Sequence, residues 1–474
     1  MTGQPVIAVY DIGRTHKKFL LFDRQYGVVT ESSTKIPDIA DEDGYPCEDL
    51  AAIREWMQTV LREALQDTRY DIRSISFSAH GASLVHVGAQ GQPVTPLYDY
   101  MKPLDPQLRD NFYALFNGRE TFSSETGSPV LNMLNSGIQL YWLKHTRPEQ
   151  FEKIRHSLHL PQYGNFLLSG RAHADITSIG CHTGLWDFSH HRYHSWVRDQ
   201  QVDDRLPAPE APTVTDNVRF GDKTIPVGIG LHDSSAALLP FVYTAQEPFI
   251  LLSSGTWNIS LHPFFKGRLT ADDYTKDCLY YLLDKDQPVA ASRVFLGSEY
   301  DHQVKKLEAF FQKTKGAYKE VQPDAAALEQ ALALQGPGTA FYPETMGGTG
   351  PFPELQGPAP DLGRMGSFET AYHKLMLDLT WLQKISLKLL SDKSPVNRLY
   401  LSGGFLQSEL FMELLCSFLP GWQLFIAENK RASALGAALA VHKSWQDGPL
   451  PEDVTPLVAF APRLRADLSS YRPF

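Results

Sequence analysis

The sequence predicts a mixed α/β protein of two domains, and three observations support this prediction. The chain has 474 residues, whereas a single domain commonly has about 100–200. Predicted strands alternate with predicted helices, which is typical of a layered α/β architecture. A strand, a glycine turn and a second strand begin both halves of the chain, which suggests a duplicated design. Two unrelated hairpins in one α/β protein would give the same pattern.

In the first half, short apolar segments broken by glycines predict strands joined by tight turns. A helix is predicted over residues 50–65, because apolar side chains including Ile53, Met57 and Leu61 recur on one face. A stretch rich in Gly, Ser, Thr and His, residues 163–188, is predicted to form loops or short elements over the surface. The strands predicted in this half cover residues 6–10, 18–22, 28–32 and 72–77.

The second half begins with predicted strands over residues 249–253 and 257–261. Helices are predicted over 372–390, where leucines recur at helical spacing, and over 433–443. The many glycines and prolines between 336 and 360 exclude a helix there. We place the domain boundary in the polar stretch after Pro240, which gives an N-terminal domain of residues 1–243 and a C-terminal domain of residues 244–474.

The composition excludes several classes of protein. Hydrophobic residues make up 43% of the chain and charged residues 21%, as in ordinary globular proteins. A net charge of -10 argues against a nucleic-acid partner, because binding to a phosphate backbone needs a basic surface. The 4 cysteines are scattered, the N-terminus has no basic stretch of a signal peptide, and no apolar run could span a membrane. We therefore expect a cytoplasmic protein with no membrane partner.

Two glycine turns carry residues suited to phosphate binding. In Asp11-Ile-Gly-Arg-Thr-His-Lys-Lys18, a carboxylate ends a strand, Gly13 permits a tight turn, and Thr15 and Lys18 follow. The amides of such a turn can bind phosphate oxygens, and a nearby carboxylate can hold Mg²⁺ through water. A similar turn, with Gly255 and Thr256, lies in Ser253-Ser-Gly-Thr-Trp257. For either turn alone, an ordinary structural turn is the alternative.

Two further segments stand where a strand leads into a helix. Asp233, in Gly228-Ile-Gly-Leu-His-Asp-Ser-Ser-Ala236, follows a predicted strand end and precedes small residues typical of a first helical turn. A helix N-cap is the alternative interpretation of this aspartate. Gly403 and Gly404 follow a predicted strand that starts at Arg398. Paired glycines let a flat ring or a ribose approach the backbone closely.

Taken in order, these four segments resemble the FGGY carbohydrate kinases, sugar kinases of the actin/hexokinase-like superfamily. The resemblance extends from about residue 6 to residue 439. Asp11, Gly13 and Thr15 match the first phosphate hairpin of the family, while Arg14 replaces its small hydroxyl residue. The helical segment 433–438 is similar to the Ala-x-Gly-Ala-Ala helix of the family, and residues 341–347 loosely resemble its Leu-Pro-Tyr-Leu-x-Gly segment.

This resemblance implies a two-domain actin/hexokinase-like (ribonuclease H-like) α/β fold with a central cleft. The N-terminal domain would bind the sugar and supply the catalytic base, and the C-terminal domain would bind ATP. The implied base is Asp233, and Asp11 would help to place Mg²⁺. The residues implied in binding the ATP phosphates are Gly13, Thr15, Lys18, Gly255 and Thr256, and those beside the adenosine are Gly403 and Gly404.

The resemblance also suggests which residues bind the sugar. His80 lies where related kinases have a strand-end His-Gly that faces the sugar, although a structural histidine is the alternative. Asp99 takes the place of a Trp-x-Asp-x-Arg segment whose Trp and Arg are absent here. His232 looks like the histidine of kinases that act on 6-deoxy ketoses, L-rhamnulose and L-fuculose. The expected partners are this small-molecule sugar and, in a homodimer, a second copy of the chain.

Three other functions fit parts of the same pattern. A kinase for xylulose, another pentulose or a polyol would need the same nucleotide residues. An actin-like ATPase or assembly protein would hydrolyse ATP without a sugar and would not need Asp233 beside an acceptor hydroxyl. A non-catalytic, sugar-responsive regulator is disfavoured by the presence of Asp11 and Asp233. Sugar-dependent release of ADP distinguishes among these functions.

Overall fold

The structure, a computed structural model, describes residues 3–336, 338–427, 431–452, 454–464 and 466–474. The described chain folds into two compact units. The first unit combines the chain up to Thr244 with Tyr280–Pro288 and Arg431–Val454. The second unit comprises Ala245–Leu279, the chain from Val289 onwards up to residue 427, and Thr455–Phe474. Each unit is thus assembled from separate segments of the chain. The predicted division into domains of residues 1–243 and 244–474 stays a prediction.

The first unit is built on a sheet that contains seven strands among the described residues. The strand order is β13-β14-β6-β1-β2-β3, and β15 pairs with β6. The strands β1, β2 and β3 are antiparallel, while β6 runs parallel to β1. The strands of this unit are β1 Gln4–Ile12, β2 Lys17–Phe22, β3 Val28–Thr34, β4 Asp38–Ala40, β5 Pro46–Glu48, β6 Tyr70–Ala79, β7 Leu84–Val87, β8 His156–His159, β9 Ala174–Asp175, β10 Trp186–Asp187, β11 Arg192–Tyr193, β12 Pro209–Glu210, β13 Thr215–Phe220, β14 Lys223–Gly228 and β15 Leu231–His232.

Helices cover this sheet and fill the core of the unit. Residues 6–10 of β1 are all buried, as expected for a strand covered on both faces. The predicted helix is confirmed as α1, which buries Leu50, Ile53, Met57 and Leu61 against the sheet. The helices of the first part of the unit are α1 Leu50–Gln66, α2 Pro106–Ala114, α3 Arg119–Thr126, α4 Ser136–Thr146, α5 Pro148–Phe151, α6 Leu160–Ser169, α7 Ile176–Ile179, α8 Ser195–Asp199 and α9 Asp233–Thr244, with 3₁₀ turns at Asn132–Leu134 and Asp203–Arg205.

The prediction of loops or short elements for residues 163–188 is confirmed in part, since β9, α7 and β10 are short, but their placement over the surface is wrong. Helix α6 takes up its first part, and most of the stretch from Ala174 to Asp187 is buried. Several polar residues of this stretch can be buried because partners inside the protein satisfy their hydrogen bonds. The amide of Asn165 donates to the carbonyl oxygens of Val227 and Gly228, and the side chain of Asp175 accepts from the backbone of Thr177.

The second unit has a sheet of the same design. Among the described residues it contains seven strands in the order β18-β19-β17-β16-β20-β21-β22. As in the first sheet, an antiparallel set is followed by parallel strands, β20 beside β16 and β21 beside β20. This repeated order confirms the duplicated α/β design. The strands are β16 Ile250–Ser254, β17 Asn258–His262, β18 Cys278–Asp284, β19 Gln287–Val294, β20 Arg398–Gly403, β21 Gln423–Ala427 and β22 Leu457–Ala459.

The second unit contains the long helix that the sequence predicts, together with helices that were not predicted. The long predicted helix is confirmed as α13, which begins four residues earlier than expected because Ser367 caps its N-terminus. The Gly- and Pro-rich stretch forms no α-helix in its described part, as predicted. No helix in the described part of the chain is long and apolar enough to cross a membrane. The helices are α10 Ala271–Thr275, α11 Leu296–Phe310, α12 Ala325–Ala333, α13 Phe368–Ser391 and α14 Glu409–Phe418, with 3₁₀ turns at Ala317–Glu320, Leu362–Met365 and Gly404–Gln407.

The last helix, α15 (Ala432–Ala440), returns to the first unit and packs on α9. It is followed by a 3₁₀ turn at His442–Ser444. A Cβ atom built on Gly436 would lie 1.8 Å from the carbonyl oxygen of Ala236, so the two helices approach each other at backbone distance. Since α9 begins at Asp233, this contact fixes the element that carries the predicted base.

We expect Gly436→Ala to lower the free energy of unfolding by about 1–3 kcal/mol, because the added methyl group must push α15 away from α9. Urea denaturation followed by circular dichroism measures the change. Gly347→Ala is a matched control, since a Cβ atom there meets nothing within 4 Å. Equal stability of the two variants would contradict the close helix contact.

Candidate active site

Asp11 lies near the end of β1, where it is half-buried. It pairs across the hairpin with Lys18, so both side chains project from the same face of the sheet. The hydroxyl of Ser433 on α15 donates to Asp11 Oδ1 at 3.0 Å. Burial raises the pKa of Asp11 to about 6, with an added contribution from the negative charge of Asp233. Two neighbouring carboxylates with this mutual repulsion suit a hard divalent cation such as Mg²⁺.

In both glycine turns, the N–H of the glycine itself closes the turn. The N–H of Gly13 donates to the carbonyl oxygen of His16, and that of Gly255 donates to the carbonyl oxygen of Trp257, each at 3.0 Å. These two amides are therefore engaged within the turns. We expect the glycines to shape the turns and the neighbouring residues, among them the exposed Thr15, to offer groups to an anion.

Arg14, the residue that departs from the family pattern, points to two carboxylates. Its guanidinium group forms ion pairs with Asp38 at 2.7 Å and with Asp99 at 2.8 Å. Asp99 is buried, and its other oxygen accepts a hydrogen bond from the backbone N–H of Met101. The predicted sugar ligand Asp99 is thus ion-paired to Arg14, and this pair connects the first glycine turn to the segment around residue 100.

Asp233 is the first residue of α9 and follows the short strand β15. Its Oδ1 atom accepts a hydrogen bond at 2.6 Å from the N–H of Ser234, the next residue along the chain. An N-cap side chain instead accepts from an N–H two or three residues on, so this contact is not that of an N-cap. The side chain of Asp233 is 33% exposed, which leaves room for a substrate hydroxyl. Burial alone would raise the pKa of Asp233, but the charges of His232 and His80 lower it below the usual value. The carboxylate is therefore ionised at neutral pH.

His232 is buried beside this carboxylate. Its Nε2 atom lies 3.0 Å from Asp233 Oδ1, and its ring stacks on Tyr281 with centroids 5.7 Å apart. Gly81 is required here, because a Cβ atom at that position would lie 2.9 Å from His232 Nε2. The His-Gly pair predicted to face the sugar and the His-Asp pair of the base are thus neighbours in the first unit.

His80 belongs to a buried ionic network that the sequence did not reveal. Its Nε2 atom lies 2.8 Å from Glu48 Oε2, while the other oxygen of Glu48 pairs with Lys17 at 2.5 Å. The ammonium group of Lys17 also donates to the carbonyl oxygen of Arg14 at 2.9 Å. Burial would raise the pKa of Glu48, but the positive charges of His80 and Lys17 lower it to about 2. Glu48 therefore fixes the position of His80 and, through Lys17, that of the first glycine turn.

The second unit has a cavity of about 430 Å³ next to the other glycine motifs. The predicted residues Gly255, Thr256 and Gly404 all line it. A Cβ atom on Gly403, whose φ is 100°, would lie 1.9 Å from the carbonyl oxygen of Ser254, so this glycine allows the strand ends to meet. The volume of the cavity and its aromatic side chains suit a nucleoside. The aromatic residues of the wall are Tyr300, Tyr318, Tyr372 and Phe405.

Gly297, at the start of α11, is a residue of this unit that the sequence analysis missed. A Cβ atom there would lie 1.9 Å from the carbonyl oxygen of Gly255, and its N–H donates to the carbonyl oxygen of Thr256 at 3.1 Å. The helix start therefore supports the second glycine turn by direct backbone contact. No motif of the sequence links these two segments.

The structure thus distributes the predicted site residues over both units. The aromatic wall, Gly297, Glu48, Lys17 and Ser433 were not predicted. The residues in the first unit are Asp11, Gly13, Thr15, Lys18, His80, Asp99, His232 and Asp233, and those in the second are Gly255, Thr256, Gly403 and Gly404.

We expect Asp11→Asn to stabilise the protein while it impairs activity. Because the pKa of Asp11 is about 6 in the folded state against 3.8 in the unfolded state, stability falls as pH rises from about 4 to 6. At neutral pH the asparagine variant should therefore gain about 1–2 kcal/mol in the free energy of unfolding, and below about pH 4 it should gain nothing. Urea titrations at both pH values measure this difference. A variant less stable than the native protein at neutral pH would contradict the raised pKa.

Several solved structures share the fold of this chain. A carbohydrate kinase from Novosphingobium aromaticivorans superimposes with a TM-score of 0.76 at 23% identity, over 97% of this chain and 94% of that one. Ligand-bound xylulose kinase from Lactobacillus acidophilus superimposes with a TM-score of 0.78 at 17% identity, over the same shares of the two chains. The predicted two-domain sugar-kinase fold is confirmed.

The sequence comparisons identify the family. Residues 6–200 match the N-terminal domain of the FGGY family of carbohydrate kinases, and residues 246–449 match the FGGY C-terminal domain. The chain belongs to the FGGY family of carbohydrate kinases, a family of phosphotransferases, and the predicted resemblance is confirmed.

The chain is similar in sequence to proteins named L-fuculokinase and rhamnulokinase. L-fuculokinase of Escherichia coli (strain K12) is 29% identical over 269 residues, which cover 54% of this chain and 56% of the relative. Rhamnulokinase of Halalkalibacterium halodurans is 24% identical over 231 residues, which cover 47% of this chain and 48% of the relative. The chain thus matches about half the length of these relatives.

Proposed function

We propose that this protein is an ATP-dependent sugar kinase whose base is Asp233. The single observation that supports this proposal most strongly is the state of that carboxylate. Asp233 is kept ionised by His232 and His80, it is partly exposed, and it stands at the N-terminus of α9, which α15 supports from behind. A carboxylate in this state can accept a proton from a sugar hydroxyl.

Phosphoryl transfer requires alignment and charge neutralisation more than covalent chemistry. On this proposal the sugar hydroxyl lies within hydrogen-bond reach of Asp233, loses its proton to Asp233 and attacks the terminal phosphorus of ATP. The bond from that phosphorus to the bridging oxygen breaks, and ADP leaves with the electron pair. Lys18 and the hydroxyl of Thr15 offer groups to the phosphates in the first unit. Thr256 does so in the second unit, whose aromatic cavity takes the adenosine.

Asp11 fits the role of a Mg²⁺ ligand. Its carboxylate is half-buried, its pKa is raised by burial and by the charge of Asp233, and Ser433 orients one of its oxygens. When bound, Mg²⁺ would neutralise charge on the ATP phosphates. Asp11 is still ionised at neutral pH, because its raised pKa of about 6 lies below 7.

For the substrate we propose a ketose, in the first place a 6-deoxy ketohexose such as L-fuculose or L-rhamnulose. The relatives named L-fuculokinase and rhamnulokinase support this class, as does the His232–Asp233 pair. The second candidate is xylulose or another pentulose, which the fold shared with xylulose kinases favours. Both candidates place an acceptor hydroxyl beside the same carboxylate.

Release of ADP in the presence of Mg·ATP tests this function directly. The panel comprises L-fuculose, L-rhamnulose, xylulose, ribulose and glycerol, each measured with the native protein and with the Asp233→Ala variant. We expect turnover that depends on one class of ketose and nearly vanishes in the variant. ADP release at the same rate without any sugar would favour the actin-like ATPase, and equal rates in both proteins would refute the assignment of the base.

A further inference from the structure

A cluster of soft ligand atoms lies directly behind the proposed base. Cys181, His182 and His232 offer one sulfur and two imidazole nitrogens, and these atoms all lie within 4.8 Å of one another. All three residues are buried, with exposed fractions of 1%, 6% and 3%. The proposed function gives no role to Cys181 or His182. A thiol and two imidazoles are the ligand types that Zn²⁺ prefers in proteins.

The spacing of the cluster suits a tetrahedral ion. The Sγ atom of Cys181 lies 3.6 Å from Nε2 of His232. With a metal–sulfur bond of about 2.3 Å and a metal–nitrogen bond of about 2.0–2.1 Å, a tetrahedral angle places sulfur and nitrogen about 3.5 Å apart. The atoms Cys181 Sγ and His232 Nε2 therefore already have the separation of a metal-bound pair, and the ligand atom of His182 lies within 4.8 Å of both.

The surrounding structure orients the ligands before any ion binds. Nδ1 of His182 lies 3.1 Å from the carbonyl oxygen of Leu134, and a hydrogen bond there leaves the other ring nitrogen with a lone pair. Such a bond from the second ring nitrogen to a carbonyl is typical of metal-binding histidines. The backbone N–H of His232 donates to the hydroxyl of Thr177 at 3.0 Å, which ties His232 to the helix preceding Cys181.

We propose that Cys181, His182 and His232 form a binding site for a thiophilic divalent cation of the Zn²⁺ type, and that its occupation inhibits the kinase. Binding forms one metal–sulfur and two metal–nitrogen bonds and releases the thiol proton of Cys181 to solvent, with any proton that His232 carries on Nε2. Mg²⁺ is excluded by the ligands, because it prefers oxygen and an octahedral shell.

Inhibition follows from the position of His232 and rests on the proposed function. In the structure, Nε2 of His232 is the atom that contacts Asp233 Oδ1 at 3.0 Å. An ion bound to that nitrogen takes the place of this contact. Asp233 then loses the partner of its Oδ1 atom, or becomes the fourth ligand, and in either case it is no longer held in position to accept the proton of the sugar.

Metal binding itself is measured without any assay of activity. We expect Co²⁺, added as a spectroscopic probe to the reduced, metal-free protein, to give a thiolate-to-cobalt charge-transfer band and the visible bands of a tetrahedral site at one ion per chain. Zn²⁺ should displace the Co²⁺ stoichiometrically. Cys181→Ser and His182→Asn should each weaken Zn²⁺ binding at least about 10–100-fold. The variant Cys416→Ser removes a cysteine outside the cluster and should bind Zn²⁺ as the native protein does.

The result that would overturn the site is a native protein without the charge-transfer band, or a band that persists in Cys181→Ser and disappears in Cys416→Ser. Inhibition is then tested as the ratio of each protein's own ADP-release rate with and without micromolar Zn²⁺ at constant Mg·ATP. We expect a loss of at least about 10-fold in the native protein and in Cys416→Ser, which a chelator reverses, and little loss in Cys181→Ser or His182→Asn. Equal inhibition of all four proteins would refute the link to Asp233. Because the cobalt spectrum needs no turnover, it can succeed even if the proposed kinase function fails.

Discussion

Asp233→Asn should lower kcat for sugar-dependent ADP release by about 10²–10⁴-fold, the usual contribution of a general base. The amide keeps the shape of the carboxylate and can still accept the hydrogen bond from Ser234 that starts α9. It cannot take up the proton of the sugar hydroxyl. Since the ATP-binding groups are untouched, the KM for ATP should change little.

Asp49→Asn is the matched control for this prediction. Asp49 also begins a helix, because its side chain accepts a hydrogen bond from the N–H of Ala52 at 3.0 Å, but it does not touch the proposed base. It should retain nearly full activity. If both variants lost activity equally, or if Asp233→Asn lost less than about 10-fold, the loss could not be assigned to proton transfer.

Glu48→Gln should cost about 3–5 kcal/mol of the free energy of unfolding, the usual penalty for breaking a buried ion pair from one side. Lys17 is 1% exposed and would face no carboxylate, and the single accepting oxygen of the glutamine could serve only one of Lys17 and His80. The same variant should disturb the first glycine turn, since the ammonium group of Lys17 also donates to the carbonyl oxygen of Arg14 in that turn.

Two further variants separate the ion pair from a general loss of packing. In Lys17→Met/Glu48→Gln both charges are gone, so most of the lost stability should return. Glu55→Gln, on the exposed face of α1, should change stability by less than about 0.5 kcal/mol. Urea denaturation of the four proteins measures all of these differences. A double variant as unstable as Glu48→Gln alone would show that the buried pair does not act as a unit.

The sequence predicted the parts of this protein that depend on local pattern. Short apolar segments and glycine turns identified β1, β2, β3 and β6 of the first sheet and β16, β17 and β20 of the second, although the two strands around Gly255 lie one residue later than expected. The other strands of the two sheets were not predicted. The ordered motifs led to the family, because each one marks the end of a strand where the backbone must turn. Asp11 and Lys18 could be paired from the hairpin alone.

Contacts between distant segments could not be predicted in the same way. Ser433 reaches Asp11 across 422 residues of sequence, and Gly297 supports Gly255 through a backbone contact that leaves no motif. Glu48 stands in a strand of three residues, and nothing in its neighbourhood marks it as the partner of Lys17 and His80. Burial of the segment around Cys181 depends on hydrogen bonds from its polar side chains to partners elsewhere in the fold.

On the proposed function, this protein transfers the terminal phosphate of ATP to a sugar hydroxyl with Asp233 as the base. The most direct test is ³¹P NMR of the native protein with Mg·ATP and the ketose that gives the fastest ADP release. We expect a new phosphomonoester signal that grows in equal amount with ADP, and no such signal with Asp233→Asn. ADP accompanied only by inorganic phosphate, or the same phosphomonoester yield from both proteins, would contradict it.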